Sequence, residues 1–397
     1  MQPVTHHDAV VVGAGPAGST TAIRLARGGA RVLLVDKARF PRDKPCGGGL
    51  TMRAVRELPV SPEPVVEQRV DRVGLRLRYG RRFERRGRAP LILMTQRLRL
   101  DHYLVEQAAA AGAEVRQGAR VSEIAAAPDG VSLHVDGEPV SAEALVGADG
   151  VNGTVRRALD LGGDHVLAVA LEGNVPYGVV SRDQYDGLAE VELAIVPGGY
   201  GWIFPKWDHV NVGVGGWESY GPELRSLLAE LCARHGIPAQ SVESIRGHRL
   251  PLRRAGSVAS RGRALLVGDA AGLVDPLTGD GMYEAFVSGR LAASAVLDLL
   301  AGTTESLDGY TTELAEALGP ITSASWGAKI ALDKYPRTTF VLGRTHLAWG
   351  AMERLLSGEI AAPREARGLT RVPLKAIAAL ARRAGDPGRA YRAEAYA

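Results

Sequence analysis

Only two cysteines, Cys46 and Cys232, occur among 397 residues. That scarcity excludes a disulfide framework and a thiolate zinc cluster, and it makes a reducing, cytoplasmic compartment the expectation. His6 and His7 have no acidic neighbours at metal-ligand spacing, so no metal site is expected. Long apolar stretches are missing as well: no run approaches the roughly 18–20 residues that span a bilayer. The opening MQPVTHHDAVVVGAG shows no basic segment followed by an apolar core and a small-residue cleavage site, so neither secretion nor membrane integration is expected. Aromatic residues make up just 5% of the chain, and a net charge of +4 is too small at this length to invoke nucleic acid. Glycine is the opposite case. Its 49 residues cluster at 13–18, 47–49, 198–201 and 279–281, as expected where backbone approaches a ligand.

A hydrophobic content of 46% over this length is enough for two or three packed units. DAVVVGAG reads as a buried parallel strand, PAGSTTAIRLARGG as a helix ending on glycine, and ARVLLVDK as a second buried strand, which together make a βαβ unit. Short alternating segments such as VGLRLRYG, AEVELAIVP, YGWIFPK and HVNVGVGG predict antiparallel strands. RALLVGDAAG marks a return to α/β structure, and the pattern beyond about residue 283 is helical. The fold class is therefore α/β: a Rossmann-like nucleotide-binding domain assembled from residues 1–60, 96–162 and 256–300. A mostly antiparallel β unit is inserted as residues 61–95 and 163–255, and residues 301–397 form a C-terminal helical region. The arginine-rich run YGRRFERRGR, residues 79 to 88, is expected to be a solvated face.

Gly13-Ala14-Gly15-Pro16-Ala17-Gly18 follows a strand and opens a helix, the context that gives GxGxxG its meaning. Gly13 permits the tight turn, Gly15 lets backbone come close to a diphosphate, and Gly18 allows close helix packing. The helix N-terminus then favours the phosphates' negative charge. Asp36, at the end of the second strand, is placed to accept hydrogen bonds from a ribose, and its charge argues against a 2′-phosphate there. These features leave NAD and FAD both open.

Four more segments bring a resemblance. VGADGVNGTVRRAL, residues 146 to 159, and LLVGDAAGLVDPLTGDGMYEA, residues 265 to 285, follow GAGPAG in the order and spacing of FAD enzymes with the para-hydroxybenzoate hydroxylase fold. KPCGGGL, residues 44 to 50, and the YxWxFP pattern of Tyr200, Trp202, Phe204 and Pro205 are similar to hallmarks of the geranylgeranyl reductase family within it. The resemblance covers about residues 8 to 300 and implies FAD as cofactor. It implies that Pro16, Ala17, Lys37 and Val121 join the glycine loop and Asp36 around the dinucleotide, and that Asp149 and Gly150 lie near the diphosphate. Arg97 matches an arginine that approaches the phosphates. Gly268 and Asp269 would place a carboxylate on the ribityl chain, while Pro276, Gly279, Asp280, Gly281 and Met282 would bring backbone amides to the pyrimidine edge of the flavin. Gly47, Gly48 and Gly49 would let backbone approach the ring, with Cys46 beside it.

The activity so implied is reduction of isolated C=C bonds in a polyprenyl substrate, of geranylgeranyl type or a prenylquinone tail, by hydride from reduced flavin N5 and a proton. Cys46 is the candidate proton donor at the ring. Tyr200, Trp202 and Phe204 share one face of a strand at period two, a pattern equally suited to a substrate wall or a core face. With no second GxGxxG in the chain, electrons must come from transiently bound NAD(P)H or another reduced carrier. An FAD-dependent monooxygenase or halogenase of secondary metabolism is the alternative on the same scaffold, although the halogenase pattern GWxWxIP is altered here to Gly199-Tyr200-Gly201-Trp202-Ile203-Phe204-Pro205. Finally, GLTRVPLKAIAALARRAG, residues 368 to 385, has apolar residues at helical spacing with Lys375, Arg382 and Arg383 opposite, the pattern of a basic helix that touches a membrane surface.

Overall fold

A computed structural model describes residues 5–163 and 165–385. Its first sheet is built on the strand Thr5–Val12, which pairs in parallel with Val32–Asp36 on one side and Glu138–Gly147 on the other. Glu114–Gln117 and Ala264–Leu266 extend it in parallel, and Ser260–Arg261 closes that edge antiparallel. Ala9, Val10, Val11, Leu33, Leu34 and Val35 are fully buried, because helices cover the sheet and leave its central strands no solvent face. The helix Pro16–Arg27 starts directly after the glycine turn, with proline at its first position, where a missing N–H costs nothing. Against it lies the helix Met282–Leu300, brought close at Gly289, whose missing side chain would sit 2.9 Å from Thr20 Oγ1 and 3.0 Å from Ala17 O.

The second sheet has seven strands, in the order Glu243–Leu252, Val166–Pro176, His209–Trp217, Tyr200–Pro205, Leu188–Leu193, Arg72–Leu77 and Arg82–Arg86. All its pairs are antiparallel except Leu188–Leu193 with Arg72–Leu77. One face is closed by the helix Leu224–Arg234, where Ile203, Val210, Val212 and Val214 meet Leu228, Leu231 and Cys232. Cys232 is thus plain core. Beneath the opposite face run the helices Gly309–Lys334, Pro336–Gly343, His346–Ser357 and Arg371–Ala384. Trp326 of the first stacks on Trp217 of the sheet, with ring centroids 6.4 Å apart. A small sheet of Gly49–Thr51, Gln68–Val70 and Ile92–Met94 links the two larger ones.

Two expectations are refined here. The arginine-rich run is an edge strand, not simply a solvated face: Arg82 pairs with the buried Glu190, and Phe83 packs on Phe340 with centroids 5.2 Å apart. The basic C-terminal helix turns its apolar side inward, where Ile377, Leu380 and Ala381 pack with Ile330 and Ala331. No described helix is long and apolar enough to cross a membrane.

Candidate active site

Between the two sheets and the C-terminal helices lies a cavity of about 1360 Å³. Pockets that hold a single small ligand usually occupy roughly 300–1,000 Å³, so this one has room for a cofactor and a second molecule. It begins at the glycine loop. Gly13 has φ +106, and a side chain there would meet Ala148 O at 2.3 Å; a side chain on Gly18 would meet Gly13 O at 1.8 Å. Strand end, helix and the 148–150 turn are therefore in contact without any room for a methyl group. Gly18 serves this packing and does not line the cavity, whereas Gly13, Gly15, Pro16 and Ala17 do.

Above Gly15 stand two guanidinium groups, Arg42 and Arg97, each within 4 Å of where a side chain on Gly15 would be. Arg97 makes a bidentate pair with Asp101, 2.7 Å at both contacts, and Arg42 reaches the same carboxylate at 2.9 Å. Two cations on one buried anion leave a net positive charge beside a helix N-terminus, which suits a diphosphate. Asp36 accepts from the amides of Ala14 at 2.7 Å and Ala38 at 2.8 Å, so it braces the glycine loop as well as facing the cavity with Lys37 and Val121.

The remaining sites show where the geometry departs from the sequence reading. Asp149 and Gly150 line the cavity, but the Asp149 carboxylate accepts from the amides of Thr154 at 2.5 Å and Val155 at 3.1 Å. It caps a short helix. The amides of Gly279 and Asp280, expected to face a flavin edge, are already taken within their own turn by Asp275 O at 2.9 Å and Thr278 Oγ1 at 3.2 Å. Asp280 in turn accepts from Met282 N at 2.8 Å, leaving its buried Oδ2 without a partner. Burial raises the Asp280 carboxyl above its ordinary range. At Gly268–Asp269 the carboxylate does face the cavity. Burial alone would raise it, but Lys44 at 3.1 Å and His248 at 3.6 Å outweigh that and hold it well below the usual carboxylate range. It is an ionised acceptor suited to hydroxyl groups.

KPCGGGL is clamped from both sides. Glu172 accepts from Cys46 N at 2.6 Å, and the buried Lys206 donates to Gly47 O at 2.6 Å and Thr95 O at 2.9 Å. Gly48 has φ +66, and a side chain there would sit 2.0 Å from Thr95 O and 2.6 Å from Lys206 Nζ. Gly47 lies against Phe204 and Trp202, at 3.0 Å and 3.4 Å from its would-be side chain. The glycines thus bring Cys46 to the aromatic strand. Burial pushes the Cys46 thiol above its ordinary value, with Arg97 and Lys206 offsetting part of the effect. It holds its proton at neutral pH, as a donor must and a thiolate nucleophile does not.

The face of the aromatic strand is now decided. Tyr200, Trp202 and Phe204 line the cavity, and Trp202 Nε1 is fixed by Asn211 Oδ1 at 2.8 Å. Pro205 does not line it; it continues the same strand, paired with Val210. Val73, Leu75, Phe83, Val191 and Leu193 extend the wall along the sheet, and Leu332, Phe340, Met352, Leu356 and Ile377 close it from the helices.

Sequence reasoning missed Lys206, Glu172, Lys44, His248 and everything on the C-terminal helices. Lys206 had a readable signal, a lysine directly after an apolar strand. Glu172 and His248 had none, because each is one polar residue in an alternating strand. The residues present fit a flavin dinucleotide: a glycine cradle, excess positive charge beside it, an ionised acceptor farther along, and a cavity longer than the cofactor's phosphate end.

Residues 6–176 match the model of an FAD binding domain. The chain is 33% identical over 339 residues to the menaquinone reductase of Mycolicibacterium smegmatis, covering 79% of this chain and 81% of that protein. Likeness to the chloroplastic geranylgeranyl diphosphate reductase of Oryza sativa is 33% over 346 residues, 81% of this chain and 73% of the relative. The chain belongs to the geranylgeranyl reductase family. As a member of that family it is a flavin-dependent oxidoreductase. Its fold matches a geranylgeranyl bacteriochlorophyll reductase-like protein of Thermoplasma acidophilum, with a TM-score of 0.74, 22% identity, and coverage of 95% of this chain and 96% of that one. A flavin-dependent brominase has a TM-score of 0.76 at 20% identity, covering 96% and 100%, which shows how far the same fold is shared by other chemistries.

Proposed function

We propose that this family member saturates isolated C=C bonds in the polyprenyl part of a hydrophobic substrate. The observation that carries the reading is the continuity of one cavity from the glycine loop, past Cys46, to a wall of Tyr200, Trp202, Phe204 and the apolar residues of the C-terminal helices. Gly13, Gly15, the Arg42–Arg97 pair and Asp269 would hold FAD, which when reduced supplies hydride. An isolated alkene has no carbonyl to polarise, so the chain contributes positioning, exclusion of water and a proton. Each methylene buried against the wall contributes about 0.8 kcal/mol, so a polyprenyl tail needs few polar contacts to bind. Cys46 holds a proton at Sγ, and Glu172 and Lys206 fix the backbone on either side of it. NAD(P)H or another reduced carrier delivers the electrons.

The reading is tested anaerobically, with dithionite-reduced protein and a geranylgeranyl compound. A gain of two mass units per bond without oxygen supports it. A strict oxygen requirement with gain of an oxygen or halogen atom replaces it by the monooxygenase or halogenase alternative. In the same assay Cys46→Ser should bind FAD normally and lower the turnover rate about tenfold, at or below the usual range for a lost general acid because serine retains a weaker donor. Unchanged turnover would reduce the thiol to a packing role.

Lipid substrate is collected at a surface, and Leu369 and Val372 are 72% and 57% exposed beside Arg367 and Arg371. The surface contact is thus assigned to the start of the basic helix, since its apolar side is packed. Leu369→Asp with Val372→Asp should weaken binding to anionic vesicles about tenfold. Equal vesicle binding by variant and wild type would remove this contact from the reading.

A further inference from the structure

The wall formed by the sheet and the C-terminal helices has one polar break. Lys329 and Asp333 sit four residues apart on the helix Gly309–Lys334, so they lie on one face, one turn apart, about 5–6 Å between Cβ atoms. Lys329 is 5% exposed; its Nζ donates to Gly198 O and stands 4.4 Å from the centroid of the Trp217 ring. Asp333 also lines the cavity, and the Lys329 and Lys334 charges act on its carboxyl. Burial lowers the Lys329 ammonium and raises the Asp333 carboxyl, each toward its neutral form. This carboxyl group, beside a lysine with donor capacity left, faces a space otherwise walled by Leu332, Phe340 and the aromatic strand. Polar groups in such a setting are costly unless a ligand completes them.

We infer that Lys329 and Asp333 form a binding point for a neutral oxygen of the substrate, a ring carbonyl or a hydroxyl, at the head of the chain whose bonds are reduced. This rests on the proposed reductase reading and narrows it. Among the described residues, Lys329 is the single lysine or arginine that the seven-stranded sheet and the C-terminal helices contribute to the cavity lining. Arg42, Lys44 and Arg97 stand on the cofactor's side of the cavity, and Arg53 lies beside Gly358, held 4.5 Å over the Tyr283 ring. A diphosphate head carries several negative charges and would meet one cation with a carboxyl beside it, too little to offset its desolvation. A neutral carbonyl or hydroxyl oxygen needs a donor, which Lys329 supplies, and a hydroxyl can in turn donate to the Asp333 carboxyl.

The test uses three compounds with the same twenty-carbon tail: a geranylgeranyl naphthoquinone, geranylgeraniol and geranylgeranyl diphosphate. Tail saturation is read by mass after air reoxidation of any quinol, and flavin content by absorbance. Wild type should show a KM at least tenfold lower for the quinone, the alcohol or both than for the diphosphate; which of the two neutral heads is favoured identifies the source of the oxygen. Lys329→Met and Asp333→Leu should each raise that KM about tenfold with kcat within twofold and full flavin content, and Asp333→Asn, which keeps a polar group able to donate and accept, should restore it. A preference for the diphosphate, or unchanged KM in both variants, overturns the inference. If wild type saturates none of the three, the reductase reading has failed. Flavin absorbance titration of the oxidised protein then decides the binding point separately: tenfold weaker quinone or alcohol binding in Asp333→Leu upholds it, and equal binding overturns it.

Discussion

Gly18→Ala will weaken FAD binding by at least about 100-fold. The added methyl group would lie 1.8 Å from Gly13 O and 2.9 Å from the Ala148 side chain. Gly13 cannot retreat, since its φ of +106 already sets it against Ala148 O. The helix Pro16–Arg27 must therefore move off the strand end, and its first-turn amides leave the position in which they face a diphosphate. Overpacking of a close contact costs typically 1–3 kcal/mol and occasionally more, and 100-fold in affinity corresponds to about 3 kcal/mol. The measurement is FAD stoichiometry in purified protein, followed by titration of the apoprotein. Gly178→Ala serves as control, because a side chain there meets no atom within 4 Å. Wild-type affinity in Gly18→Ala would show that the loop is held by something other than this contact.

Alkali should stabilise the wild-type protein relative to Lys206→Met. Lys206 is 1% exposed, and burial pulls its ammonium from 10.5 down to about 8. Below about pH 8 the lysine is charged in both folded and unfolded chains, and the burial penalty is present in full. Between about 8 and 10.5 the unfolded chain keeps a proton that the folded chain has released, so stability rises with pH through this window. The gap corresponds to about 3 kcal/mol. Methionine cannot titrate, so the difference between wild-type and variant unfolding free energies isolates the lysine from every group they share. Urea denaturation from pH 7 to pH 10.5 reads that difference directly. A flat difference across the window would mean that Lys206 reaches solvent and does not clamp Gly47 and Thr95 as a buried amine.

Gly18 was readable from spacing because its constraint is local: a strand, a tight turn and a helix within a dozen residues leave no room for a side chain, whatever else the chain does. The period of two in Tyr200, Trp202 and Phe204 placed them on one face for the same reason. Which face met the cavity and which met the helix Leu224–Arg234 depended on elements far away in the chain. Glu172 lies in a strand and Lys206 directly after one, both distant in sequence from Cys46, and their grip on its loop exists only after the sheet has closed over it. The carboxylates of Asp149 and the amides of Gly279 and Asp280 illustrate the converse: their positions followed from the motif, but their hydrogen bonds went to neighbours in their own turns.

The C-terminal helices mark the widest gap. Their sequence announces amphipathic helices and nothing of a ligand, because a residue that lines a cavity is chemically the same as one that lines a core. Short-range sterics and repeat spacing made the nucleotide-binding unit, its glycine loop and the family legible in the order of residues. Long-range closure of the sheet against the helices set the depth of the cavity, the clamp on Cys46 and the polar break at Lys329 and Asp333, since each depends on surfaces that meet only in the folded chain.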